Sequence, residues 1–354
     1  MKGARLNDLV IRADANTRIG CGHLMRCLAL AEAWRDRGGH VVLVAANESS
    51  RLDQRVRSEG IELVSLRSAY PDPGDWKTTL SVLDAHRDAL VVVDGYHFDP
   101  TFHGWVKEAE HPVMVIDDNA HLDHYRADVL LNQNIHARHL NYSCEPTTRL
   151  LLGTRYVLLR REFRAWEGWK REIPRRASRV LVTMGGGDPH DQTGKVLNAL
   201  DRIDADLQIT VVVGGANRHL PELRSQAAHS VHSVRMVEDA REMSGLMAWA
   251  DVALTAGGST CWEIAFMQLP MLVMVTADNQ RAVGAGLQAS GSAICLGWWE
   301  QVSEQEIARS LERVIGDAAQ RSSMARLGRQ LVDGRGVERV LRVMEESCEQ
   351  RLDR

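Results

Sequence analysis

The sequence predicts an α/β protein of two doubly wound domains facing each other across a cleft, with further helices at the C-terminus. Three observations carry this. Short, continuous apolar runs alternate with segments whose apolar residues recur at helical spacing. The alternation breaks once, in a charged stretch at residues 164–178, and then restarts. At roughly 100–200 residues per domain, a chain of 354 residues suits two such halves. Continuous apolar strands separated by helices point to parallel sheets covered on both faces.

The elements follow in order. Leu9, Val10 and Ile11 form a short buried-strand run. From His23, the residues Leu24, Cys27, Leu28, Ala31 and Trp34 recur with a helical period, and Gly38-Gly39 ends that helix. Residues 41–44, 90–93 and 113–116 are further strands, the last two ending on Asp94 and Asp117. The stretch 164–178 holds a Gly, a Pro and many charges, which marks it as the linker. The expected division is a first domain over 1–165, a second over 176–334 and a C-terminal helix over 335–354. Past the linker, strands at 180–182, 209–213 and 252–254 each run into glycines, and 271–275 follows. Ser303 and Glu306 have capping-box spacing ahead of Ile307, Leu311 and Val314.

Composition removes several classes. The chain is 44% hydrophobic and 25% charged, ordinary for a globular protein. A net charge of −4 argues against bulk-charge binding to nucleic acid. No apolar run nears the roughly 20 residues that span a bilayer, so no membrane insertion is expected. The polar segment at 1–8 does not read as a signal peptide. Six scattered cysteines without a Cys-x-x-Cys pair suit a reducing compartment, and a cytoplasmic location is expected.

Glycine-containing turns follow the strands. Gly20-Cys21-Gly22-His23 opens the first strong helix, where bare N–H groups attract phosphate, but it lacks the full Gly-x-Gly-x-x-Gly spacing. Gly257-Gly258-Ser259-Thr260 follows one strand and starts another helix, so its N–H groups and hydroxyls are placed for a diphosphate. Glu263, one turn on, suits a ribose diol. The plainer alternative is that Ser259 caps the helix and Glu263 favours its positive end. Gly185-Gly186-Gly187 precedes Asp188 and Pro189, and either brings a ligand close or makes an ordinary loop.

His23 is the sharpest candidate for chemistry. It stands at a helix start in the first crevice of a sheet, where the helix end disfavours an imidazolium and a general base is well placed. Arg12 and Asp14 end the preceding strand, and Asp14 is placed to orient His23 or hold a substrate hydroxyl. A helix-capping His with a surface Asp–Arg pair is the alternative. Asp94, with Tyr96 beyond it, and Asp117 end strands and face the same crevice. Asp117-Asp118 has no third acidic ligand near in sequence, so sugar hydroxyls are preferred over a metal. Asn279 and Gln280 follow the strand at 271–275 and suit hydroxyl or acetamido groups, or else start a helix.

Together these motifs resemble a known family. They are Ile11-Arg12-Ala13-Asp14, the run from Ile19 to Ala31, Val93-Asp94-Gly95-Tyr96, Ile116-Asp117-Asp118, the run from Leu152 to Arg160, the run from Val182 to Pro189, the run from Ala256 to Glu263, Asn279-Gln280, and the run from Val332 to Gly336. In this order they resemble the UDP-2,4-diacetamido-2,4,6-trideoxy-β-L-altropyranose hydrolases of pseudaminic acid biosynthesis, and the related spore-coat polysaccharide glycosyltransferase-like proteins. The resemblance implies a GT-B fold of two Rossmann-like domains with the nucleotide on the second. It implies cleavage of the anomeric C–O bond of a UDP-sugar with inversion, and neither metal nor cofactor. It places His23 and Asn279 in catalysis, Gly257, Gly258, Ser259 and Thr260 at the diphosphate, and Glu263 toward the ribose. A glycosyltransferase and a non-catalytic nucleotide-sugar binder are the competing readings.

Overall fold

The computed structural model describes residues 8–15, 22–47, 50–215 and 217–352. The chain forms two compact units, Met1–Arg161 with Arg335–Arg354, and Glu162–Gly334.

The first unit holds a seven-stranded sheet. Its strands are β1 (Leu9–Ala13), β2 (Val41–Ala45), β3 (Glu62–Ser65), β4 (Leu90–Asp94), β5 (Val113–Ile116), β6 (Val129–Asn132) and β7 (Arg149–Leu152). They run in the order β3-β2-β1-β4-β5-β6-β7, with every neighbouring pair parallel. The connections include α1 (Gly22–Asp36), α2 (Ser50–Ser58), α3 (Pro73–Ala85) and α4 (Pro100–Glu108). Alternate strand residues point to opposite faces. Leu9, Ile11, Ala13, Leu43 and Val92 share one core with Leu24, Cys27 and Leu28 of α1. Val10, Val42, Val44, Val91 and Val93 share the other with Leu83, Phe98 and Phe102. Burial on both faces is why these strands read as unbroken apolar runs.

The second unit repeats the plan. Its strands β8 (Arg179–Thr183), β9 (Gln208–Val213), β10 (Ser233–Glu238), β11 (Val252–Ala256), β12 (Met271–Val275) and β13 (Ala293–Trp298) are ordered β10-β9-β8-β11-β12-β13, again all parallel. Its helices are α5 (Gln192–Leu200), α6 (Leu220–His229), α7 (Met243–Trp249), α8 (Thr260–Phe266), α9 (Arg281–Ala289), α10 (Glu304–Gly316) and α11 (Ala318–Leu331). In each sheet the first strand is central and the order reverses beside it, between β1 and β4 and between β8 and β11. Ligands of doubly wound sheets bind at the carboxyl ends of the strands beside such a reversal.

The stretch 164–178 is not a free linker. The boundary lies between Arg161 and Glu162, and the stretch packs within the second unit. Arg171 donates to the main-chain carbonyls of Met247, Ala250 and Met267, and the Gln268 amide donates to Trp169 O at 2.7 Å. Among its charges stand two tryptophans, Trp166 and Trp169, whose rings meet edge to face. The last helix, α12 (Gly336–Leu352), belongs to the first unit and buries Val337, Val340, Leu341, Val343 and Met344 in its core. Its first residue must be small: a Cβ on Gly336 would lie 2.1 Å from Val157 O.

Candidate active site

The reversal in the first sheet gathers a charged cluster. His23, Arg26 and Cys27 lie at i, i+3 and i+4 on the first turns of α1 and so share one face. Asp94 ends β4, and Tyr96 and Asp118 follow the ends of β4 and β5. His23 Nδ1 is 2.6 Å from Asp94 Oδ1. Arg26 grips Asp94 through Nε (2.6 Å) and Nη2 (2.7 Å), and Asp118 through Nη1 (2.8 and 3.0 Å). Asp118 also accepts from Tyr96 Oη at 2.7 Å and Asn134 Nδ2 at 2.6 Å. The Tyr96 ring meets His23 edge to face, with centroids 4.7 Å apart. The Cys27 thiol donates to Asp94 Oδ2 at 3.4 Å.

The electrostatics follow from burial and pairing. Burial alone would raise the Asp94 and Asp118 carboxyls, but the Arg26 guanidinium, with His23, holds both below the ordinary carboxylate range. Two anions and one cation leave the cluster one negative charge when the imidazole is neutral. A proton taken up by His23 brings it to neutrality. Nδ1 lies between Asp94 Oδ1 and Arg26 Nη2, the latter 3.1 Å away. In the tautomer that donates Nδ1–H to the carboxylate, Nε2 is the nitrogen left to accept a proton.

Asp14 does not orient His23. It joins Arg12 in a second buried network, and Arg12 is not available to a substrate. All five guanidinium N–H groups are spent: Nε and Nη2 on Asp75 (3.1 and 2.5 Å), Nη1 and Nη2 on Asp14 (2.5 and 2.9 Å), and Nη1 on Val44 O (3.3 Å). Asp14 further accepts from Ala46 N and lies 2.9 Å from His97 Nε2. Burial would lift its carboxyl, but His97 and Arg12 hold it at about 2. Asp117 is committed too. It accepts from Asn119 N, Ala120 N and Tyr142 Oη and contacts His121 Nδ1 at 2.7 Å, which fixes the turn after β5. Gly22 is the first residue of α1, and Gly20 lies outside the described residues.

In the second unit, glycine turns follow both strands at the reversal. Gly185, Gly186 and Gly187 leave β8, and Gly185 has φ +91°. The helix start beyond them, α5, is already filled by carboxylates: Asp188 accepts from Gln192 N, Thr193 N and Thr193 Oγ1, and Asp191 from Gly194 N. An anion at this turn would have to use the glycine backbone itself. The turn is shaped by its neighbour, since a Cβ on Gly214 would lie 2.3 Å from Gly186 O.

Gly257 and Gly258 leave β11. Gly257 N bonds Met274 O and Gln280 Oε1, whereas a Cβ on Gly258 would meet open space. Ser259 precedes α8 without capping it by its side chain, Thr260 begins the helix, and half-buried Glu263 lies in its first turn. Gln280 is a brace for this turn: its Oε1 also accepts from Thr276 N and Oγ1. Asn279 is exposed in the single turn before α9.

The sequence does not single out Arg26 as a site residue, and it offers Asp118, with Asp117, to sugar hydroxyls, whereas the structure commits Asp118 to Arg26. The spacing of Arg26 from His23 was the available signal. No helix among the described residues is long and apolar enough to cross a membrane.

Comparison with known proteins agrees with this architecture. Residues 180–330 match the glycosyltransferase family 28 C-terminal domain. The chain is 30% identical over 213 residues to the spore coat polysaccharide biosynthesis protein SpsG of Bacillus subtilis, a match spanning 59% of this chain and 61% of that protein. It is 22% identical over 289 residues to the UDP-2,4-diacetamido-2,4,6-trideoxy-β-L-altropyranose hydrolase of Campylobacter jejuni, spanning 80% of this chain and 97% of that one. The crystal structure of Acinetobacter baumannii MurG superposes with a TM-score of 0.66 at 14% identity, over 96% of this chain and 99% of that one. Two parallel sheets of the same strand order, together with these likenesses, give the chain the two-domain, Rossmann-like GT-B fold.

Proposed function

We propose that this chain is a nucleotide-sugar hydrolase that cleaves the anomeric C–O bond of a UDP-linked 2,4-diacetamido-2,4,6-trideoxy hexose with inversion. The observation that carries this is the His23–Asp94 pair, clamped by Arg26 at the reversal of the first sheet. Asp94 holds the Nδ1 proton and stabilises the imidazolium that forms. His23 Nε2 takes a proton from water as the water oxygen bonds to C1. The C1–O bond breaks on the opposite side, and UDP leaves with the electron pair. A diphosphate needs no strong general acid if fixed dipoles hold its growing charge. The turn of Gly257, Gly258, Ser259 and Thr260 supplies N–H groups for that task, with Gly185, Gly186 and Gly187 beside it, Glu263 toward the ribose and Asn279 toward the sugar. The Campylobacter relative, matched over nearly its whole length, supports the hydrolytic outcome.

A second reading, a glycosyltransferase, is favoured by the family 28 match over residues 180–330 and by the Bacillus relative. The same base would then take the proton of an acceptor hydroxyl. One experiment separates the two. The protein is incubated with the UDP-sugar alone, and NMR follows free UDP and the anomeric configuration. Hydrolysis predicts UDP release without acceptor and an inverted first product. Transfer predicts release only with acceptor, in a product heavier by one sugar. Binding without release in either case refutes both. His23→Gln is expected to lose about 100-fold or more in rate while still binding UDP, as removal of a general base does. Full turnover by this variant would remove His23 from the chemistry.

A further inference from the structure

The amino ends of the first sheet's strands carry a second cluster, away from His23. Asp8 precedes β1, His40 precedes β2, and His86 caps α3 shortly before β4. These three strands are adjacent in the sheet. Backbone bonds fix each residue: Asp8 O accepts from Leu90 N, His40 O from Leu9 N, and His86 O from Ala89 N, at 2.8–2.9 Å. The side chains converge, and each offers a ligand atom within 4.8 Å of those of the other two. His86 Nδ1 is 2.6 Å from Asp8 Oδ2, and His40 Nδ1 is 3.9 Å from Asp8 Oδ1. The imidazole rings are stacked, with centroids 5.6 Å apart.

We propose that Asp8, His40 and His86 form a binding site for a divalent transition metal ion of the zinc class. Two imidazoles and one carboxylate are a donor set that suits Zn²⁺ and its first-row neighbours rather than Mg²⁺ or Ca²⁺. Zinc–nitrogen bonds of about 2.0–2.1 Å place tetrahedral ligand atoms roughly 3.3 Å apart, so the His40–Asp8 contact closes by about half an ångström. The His86–Asp8 contact opens by a similar amount. The side chains have room for this, being 48% exposed at His40, 35% at Asp8 and 20% at His86. A further group is in position: Glu62 Oε2 stands 3.3 Å from His40 Nε2. A carboxylate accepting from Nε2–H turns the Nδ1 lone pair toward Asp8, the usual way in which a metal-binding imidazole is oriented. The ion would join the starts of three neighbouring strands. At about 3.3 Å per residue it would lie roughly 15 Å along β1 and β4 from the His23 end. It would therefore stabilise the first unit without entering the reaction.

The test uses the full chain without an affinity tag, stripped with EDTA. Zn²⁺ is titrated by calorimetry, and unfolding is followed with and without the ion. The proposal expects one saturable equivalent and a raised unfolding temperature. His40→Ala and His86→Ala should each lower Zn²⁺ affinity at least tenfold, and the double variant should lose the zinc-dependent rise. His229→Ala, at an exposed histidine of α6, should bind as the wild type does. Far-UV circular dichroism and metal-free unfolding temperatures establish that the variants fold. No saturable binding to the wild type, or unchanged affinity in the folded double variant, would overturn the proposal.

Discussion

Arg26→Met tests the charged cluster without any knowledge of the substrate. Methionine fills much of the space but leaves Asp94 and Asp118 without their shared cation. Arg26 makes four hydrogen bonds to them at 2.6–3.0 Å, and all three side chains are buried. Removing one partner from a buried ion pair costs about 3–5 kcal/mol, because the other charge stays desolvated. In the wild type both carboxyls are held low, so their stabilisation is complete above the unfolded value near 4 and is lost only as pH falls through the lower folded values. In the variant, burial lifts them above the unfolded value, and such a group loses stability as pH rises through its folded value. The deficit should therefore shrink on acidification, by about 1–2 kcal/mol between pH 7.5 and 5, at up to about 1.4 kcal/mol per pH unit for each group. Hydrogen exchange of β4 peptides across a urea series reads the opening of the first unit separately from the second. Adding Asp118→Asn should recover part of the loss. A deficit under about 1 kcal/mol at pH 7.5, or one that does not shrink at pH 5, would refute the reasoning.

Two further predictions concern packing and protonation. His103 on α4 is buried with no hydrogen-bond partner for Nδ1, and burial lowers it to about 4. Its stabilisation is complete above the unfolded value near 6.5 and is lost as pH falls toward 4, by about 3 kcal/mol in all; His103→Leu should flatten that limb of a stability–pH curve. Gly214→Ala places a Cβ against the backbone of Gly186, so it should destabilise the second unit by about 1–3 kcal/mol and, if the Gly185–Gly187 turn meets the nucleotide, weaken UDP binding measured by calorimetry.

The strands β1, β2, β4, β5, β8, β9, β11 and β12 were legible because both their faces are buried, although β6, equally buried but only four residues long, escaped notice. β3 and β10 were not legible, since as half-exposed edge strands they lack a continuous apolar run. At the candidate site, the choice between Asp14 and Asp94 turned on parity. Asp14 shares its face of β1 with Arg12 and Val10, the side where Asp75 waits, whereas Ala13 pairs in register with Asp94 on the side of α1. Strand ends alone carry no such information; it comes with the register. The helical spacing of His23 and Arg26 was in the sequence throughout. The two carboxylates that make Arg26 matter arrive from 68 and 92 residues away, a distance no local pattern spans.

The return of α12 to the first unit has a consequence for synthesis. The second unit is one uninterrupted segment, Glu162–Gly334, and can complete its sheet as soon as that segment has left the ribosome. The first unit emerges earlier but finishes later, because Val340, Leu341 and Met344 are made after the whole of the second unit. Domains tend to fold in the order of their appearance; here the order of completion is reversed. Chains truncated after residue 334 and released should hold a protease-resistant second unit and a first unit still open along the face that α12 covers.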